Sequence, residues 1–228
     1  MPAHHQPVSR RERPAKPALT REGIVATAVR VMRSEGLERV TMRRLATELD
    51  TGPASLYVYV TNTVELHAAI LEEMLGEVDL GPVAAAGDWR ERIDAVLSSY
   101  RHVLYENPGL ARSALVARPS GPNYLNLVEA LLVLLGEGGV PDAQAAWGVD
   151  LLLQDTTANA AEHAGRDDSG SSTNEWNLLA AALADASSTS TPRIAALGAQ
   201  LLSGPPLRRR KWAVRTLLDG MLHTPLPE

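Results

Sequence analysis

Apolar residues recur along this chain at intervals of three and four, interrupted by glycine and proline, and no segment carries the two-residue alternation of a strand. Thr20 is placed to cap a first helix over 21–35, with Ile24, Ala28, Val31 and Met32 as its apolar face and Gly36 as its stop. Thr41 caps a second, in which Leu45, Ala46 and Leu49 form a stripe. Asp50-Thr51-Gly52-Pro53 breaks that stripe, and Leu56, Val58 and Val60 resume it around two tyrosines, Tyr57 and Tyr59. The resumed segment spans less than two helical turns, too few to stand alone. It makes sense packed on its neighbour and presented to a groove, the arrangement of a helix-turn-helix. Thr61 or Asn62 then caps a fourth helix with Leu66, Ile70, Met74 and Val78 in register.

Beyond a break at 81–87, Asp88 caps a helix running to about residue 105, and Pro108 and Pro119 bracket a short one. Residues 125–135 are almost wholly apolar and end in glycines. A long helix follows over about 141–163, then a loop at 165–174, a helix at 176–183, a second Ser/Thr-rich loop at 186–192, a short helix at 194–202 and a last helix at 208–222. The pattern predicts an all-α protein: an N-terminal three-helix helix-turn-helix domain and a larger C-terminal helical domain. The expected boundaries are a Pro-rich basic arm at 1–18, the helix-turn-helix at 19–66, a connecting helix at 67–80 and the larger domain at 88–224.

Composition narrows the picture. Hydrophobic residues make up 45% of 228, enough for a core, but aromatics are 4% and Phe is absent, so the core is built from Leu, Val, Ala and Met. Cysteine is absent, which removes disulfides and thiolate metal sites. The six histidines lack metal-ligand spacing, and no metal or other cofactor is expected. No apolar run resembles a signal peptide or approaches the ~20 residues of a membrane span, so a cytoplasmic protein without membrane contact is expected. The overall charge of −5 hides an asymmetry: residues 1–60 carry ten Lys/Arg against six Asp/Glu. The basic part coincides with the helix-turn-helix, as binding to phosphates requires.

The ordered combination Gly36-Leu37, Val40-Thr41, Arg43-Arg44-Leu45-Ala46, Leu49, Ala54-Ser55-Leu56-Tyr57, Tyr59-Val60, Asn62 and Leu66 resembles the DNA-binding domain of the TetR family of transcriptional regulators. Asp88-Trp89, Asn107-Pro108-Gly109, Arg118-Pro119 and Gly138-Gly139 more loosely resemble that family's tetracycline-repressor branch. The resemblance implies a DNA-binding regulator, a homodimer on a palindromic operator, released by a small-molecule effector. Departures from the family pattern are Asp50 where Gly is common, Thr63 where Lys is usual and Val60 where Phe is frequent. Relatives in that branch hold a drug–magnesium chelate through a His where this chain has Asn107, which argues against a tetracycline–magnesium ligand.

Candidate DNA contacts fall into two sets. Thr41, Arg44, Tyr57, Tyr59, Asn62 and Thr63 are expected at the phosphate backbone. Gly52, Pro53, Ala54, Ser55, Val58 and Arg43 surround the start of the recognition helix, where direct readout leans on Arg43, Ser55, backbone groups and apolar contacts. Candidate effector contacts are the polar and aromatic residues that interrupt apolar faces: Tyr100, His102, Tyr105, Asn107, Arg112, Trp147, Gln154, Asp155, Asn159 and His163. Two other readings stay open, a ligand-independent or partner-controlled regulator and an enzyme with an accessory DNA-binding domain. The second lacks a nucleophile elbow, a phosphate loop and metal-ligand spacing.

Overall fold

The computed structural model describes residues 18–117, 119–169 and 172–227. Within them the chain forms eleven α-helices: α1 Arg21–Glu35, α2 Met42–Glu48, α3 Pro53–Leu56, α4 Thr63–Leu75, α5 Trp89–Tyr105, α6 Pro108–Ala114, α7 Pro122–Glu137, α8 Asp142–Ser169, α9 Ser172–Ala184, α10 Pro192–Leu201 and α11 Pro206–His223. Short 3-10 turns at Leu37–Arg39 and Gly81–Ala84 join α1 to α2 and α4 to α5. No strand occurs among the described residues. The arm at 1–17 and Arg118 lie outside them.

Side-chain caps fix where the first helices begin. Thr20 Oγ1 accepts from Gly23 N at 3.0 Å, and Thr41 Oγ1 from Arg44 N at 3.1 Å. Of the two candidates before α4 it is Asn62 that caps, accepting from Glu65 N at 2.9 Å, while Glu65 Oε2 accepts from Thr61 N at 2.7 Å. Such reciprocal caps satisfy amides that the helix leaves without partners, about 1 kcal/mol for a good cap. Asp50 occupies the left-handed region at φ 48, where an Asp is tolerated better than most residues.

The head, α1 to the first turns of α4, closes on Ile24, Ala28, Leu45, Leu56, Val60, Leu66 and Ile70, all fully buried or nearly so. Val60 thus serves as a complete core residue where the family often has Phe. α4 runs unbroken through residues 66 and 67 and carries the head into the C-terminal bundle. There α5, α7 and α8 enclose Ile93, Leu97, Leu104, Leu131, Leu134 and Leu152. Arg92 fastens the segment after α4: its Nη1 donates to Val83 O and Ala85 O, both at 3.0 Å, and its guanidinium pairs with Glu137 of α7. α11 lies along α8 at Gly148, where an added Cβ would fall 2.5 Å from Met221 Sδ.

Two expectations fail. The loop expected from residue 165 is helix as far as Ser169. Gly165 is its one strong helix-breaking residue, at about 1 kcal/mol, and a helix already six turns long propagates through that cost. A basic run such as 208–211 on a helix is ordinarily a solvated face, but here it is split: Arg210 is buried, its Nη2 donating to Asp94 Oδ1 and Ser98 Oγ of α5, each at 2.7 Å. A buried guanidinium needs such partners.

Candidate nucleic-acid interface and effector pocket

The reading edge is built by what its buried residues leave outside. α3 is a single turn, opened by Pro53 after Gly52 and extended as Tyr59 N and Val60 N both donate to Leu56 O at 3.0 Å. Leu56 and Val60, four residues apart, face the core at 0% exposure. Gly52, Pro53, Ala54, Ser55, Tyr57, Val58 and Tyr59 therefore all stand outside, together with Thr41, Arg43, Asn62 and Thr63. The Asn62 side chain is engaged in its cap.

The two adjacent arginines are placed differently. Arg44 is braced between Glu35 at 2.7 Å and Glu48 at 2.6 Å, which holds both carboxyls below the usual carboxylate range and raises the guanidinium's own pKa. Arg43 projects outward with no acidic partner among the described residues. The brace fixes α2 to α1; the free arginine is the one available to a ligand.

The junction between the halves is close. At Gly109 in α6 an added Cβ would lie 2.8 Å from Leu37 Cβ in the 3-10 turn after α1. Arg112 Nη2 reaches Glu38 Oε1 at 3.4 Å, and Arg33 of α1 pairs with Glu77 beyond α4. Between α4 and α6, His67 Nδ1 stands 3.1 Å from Ser113 Oγ, and burial pushes the imidazole below its ordinary pKa. A polar cleft of about 620 Å3 opens beside these contacts.

A second hollow, about 440 Å3, lies among α4, α5, α6 and α8, with the start of α7 at its rim. Leu71, Leu75, Ala114, Leu115 and Leu153 give it an apolar lining, and Tyr100, Tyr124, Gln154 and Thr157 supply polar groups. Tyr100 is buried, with its hydroxyl 2.7 Å from Thr157 Oγ1, and burial raises its pKa despite that partner. The Asp150 carboxylate also lines it, so the hollow mixes apolar walls with hydroxyls, an amide and one acid, groups that a small-molecule site uses to orient its ligand. No group of three or more His, Cys, Asp or Glu fit to hold a metal occurs among the described residues.

Comparison with known families decides the lineage. One profile, bacterial regulatory proteins of the tetR family, matches residues 24–70, and another, the tetracyclin repressor-like C-terminal domain, matches residues 81–222. The chain belongs to the TetR family. The solved structure of the Streptomyces transcription regulator SCO7704 is 56% identical, with a TM-score of 0.79, over 93% of this chain and 99% of that one. ActR of Streptomyces coelicolor, solved in complex with actinorhodin, is 34% identical, with a TM-score of 0.78, over 90% of this chain and 96% of that one. The transcriptional repressor DrrR1 of Streptomyces coeruleorubidus is 29% identical over 143 residues, 63% of this chain and 53% of its own. The chain spans about half the length of the curated relatives it matches.

In this TetR family regulator the expected effector residues do not form one group. Tyr100 and Gln154 border the 440 Å3 hollow. Tyr105 donates to Asn159 Oδ1 at 3.0 Å and stacks on His163 at 4.4 Å, a separate cluster. Asp155 lines a groove of about 950 Å3 between α8 and α9–α11, and burial raises its carboxyl pKa. Asn107 donates to Val103 O, Arg112 faces the head, and His102 and Trp147 are exposed. Leu71, Leu75, Tyr124 and Thr157 line the hollow without having been singled out. The polar turn of α8 at 154–159 was the one signal pointing to Thr157.

Proposed function

We propose that this TetR family regulator is a cytoplasmic repressor that binds a palindromic operator as a homodimer and releases it when a small molecule fills the hollow among α4, α5, α6 and α8. The observation that carries the reading is the head's outward edge. A closed core leaves Arg43, Tyr57, Tyr59 and Thr63 all outside, in or next to the part of the chain with excess positive charge. Tyrosine hydroxyls and threonines position the backbone of a duplex, and Arg43 is free for a base. Arg44 is left out of the contact set because its fork is already occupied.

Dimerisation is supported by a seam on the opposite half. Trp147 and Leu151 lie outside on one face of α8, and Trp212 of α11 is 71% exposed. A second copy along this seam buries it and sets two heads at the half-site spacing of about 34–36 Å or a multiple. Release is supported by position: the hollow's walls include α4, which is continuous with the head, and α6, which touches it at Leu37. A ligand that prefers one head spacing shifts the population, and operator and ligand then weaken each other reciprocally. ActR is described with actinorhodin bound and DrrR1 as a repressor, which favours both halves of the reading. The relatives' names also favour a regulator over an enzyme.

Footprinting across the DNA upstream of the protein's own gene, over a salt series, tests it. The expected result is a protected palindrome with a steep salt slope, lost on titration with a compound that fills the hollow. Protection that no candidate compound disturbs favours a ligand-independent regulator. No protection at all defeats the reading.

A further inference from the structure

The recognition turn offers DNA an apolar surface, and this decides what kind of base it reads. Val58 is 79% exposed, more than any other large hydrophobic residue among the described ones. It follows Ala54 by four residues, so the two stand one above the other on the outer face of α3 and its extension. No residue from Pro53 to Val60 is charged, and Ser55 is the one small polar side chain at the front. A groove can therefore close over this surface without stripping water from an ion. Arg43 on α2 stands outside with no acidic partner among the described residues, whereas its neighbour Arg44 is spent on Glu35 and Glu48. In the major groove the one apolar feature of any base is the C5 methyl of thymine, and the feature that best suits an unpaired guanidinium is the O6/N7 edge of guanine.

We propose that Val58, backed by Ala54, is the specificity-determining residue for a thymine methyl in each operator half-site, and that Arg43 reads a guanine in the same half-site. The inference rests on the DNA-binding reading above. Its energy is that of covering about one methyl group, and the same modest amount sets both the affinity it adds and the discrimination it gives. Loss of the methyl weakens binding about fourfold per half-site, and about fifteenfold for a symmetric duplex altered in both.

The full-length protein is first used to select duplexes from a random-sequence library. The enriched duplex is then remade with each thymine in turn replaced by deoxyuridine, which removes only the methyl, and with each guanine in turn replaced by 7-deazaguanine. The expected result is one sensitive thymine and one sensitive guanine per half-site. Val58→Ala, altered in both copies, loses about fifteenfold on the symmetric thymine duplex and is indifferent to deoxyuridine there, while Arg43→Ala is indifferent to 7-deazaguanine at its position. Both residues are exposed, so unchanged thermal unfolding of each variant is expected and is checked. An enriched duplex whose affinity ignores every deoxyuridine, or a Val58→Ala protein that keeps the native sensitivity, overturns the role of Val58 while leaving the regulator reading intact. Failure to enrich any duplex overturns both.

Discussion

The head and the C-terminal bundle are folded from the same few residue types and reach different ends. In the head, Ile24, Leu45, Leu56, Val60 and Leu66 close a complete core within about fifty residues, and what remains outside is a short edge of tyrosines, an arginine and a valine. In the bundle an equally dry interior coexists with Trp147, Leu151, Trp176, Leu178, Leu197, Leu207 and Trp212 outside, spread over α8 to α11. α10 buries none of its residues. A surface this apolar is rarely left to water on a soluble monomer. The difference teaches that one half is finished by its own chain while the other leaves an apolar surface for the second copy proposed above, and each claim can be broken separately.

The most damaging change is expected in the head's core. Leu56→Ala empties a fully buried site and should cost about 2–5 kcal/mol, read as a lower urea midpoint for the head while α5–α8 keep their helical signal. If head and bundle unfold together at the lowered midpoint, the head is not self-sufficient. Next, Trp212→Ala should cost about 2–4 kcal/mol of association with little change in the fold of each copy, seen by sedimentation as a concentration-dependent shift toward monomer. An unchanged mass distribution would move the dimer seam elsewhere. Gly109→Val sharpens the boundary between the halves: the added side chain meets Leu37 and should cost about 1–3 kcal/mol or force the head aside. The check is operator affinity beside thermal stability, with affinity expected to fall even where the fold survives.

The smallest effect is a pH dependence. Burial holds His67 below its ordinary pKa of 6.5, so the folded chain binds that proton less readily than the unfolded one. Stability is therefore full at neutral pH and above, and falls as pH drops through about 6.5 toward the folded value. His67→Gln should flatten that slope in urea midpoints taken across the range. A slope that persists assigns the titration to another group.

The parts of this fold that were legible in the chain are those settled within one or two turns. Thr41 and Asn62 announce helix starts because a cap acts three residues away, and the Asp50 turn is readable because few residues tolerate a positive φ. What escaped was set by distant partners. Arg44, expected at the phosphate backbone, is also held by Glu35, nine residues earlier, a pairing that no local pattern announces. Arg210 reads as a solvated cation because Asp94, its partner, is 116 residues away. The hollow's wall draws Leu71, Tyr124 and Thr157 from three separate helices. Asn107-Pro108-Gly109 was visible as a motif, but the reason for its glycine lies in the head: nothing larger fits against Leu37.

That last contact has a bearing on engineering. Regulators with interchangeable reading heads are attractive as sensors, and α4 looks like the obvious place to join two parents. The seat at Gly109 and Leu37 is a second, non-covalent joint that a splice in α4 does not carry across. A chimera built on this chain will transmit its signal only if the incoming head brings a side chain of leucine's shape to position 37.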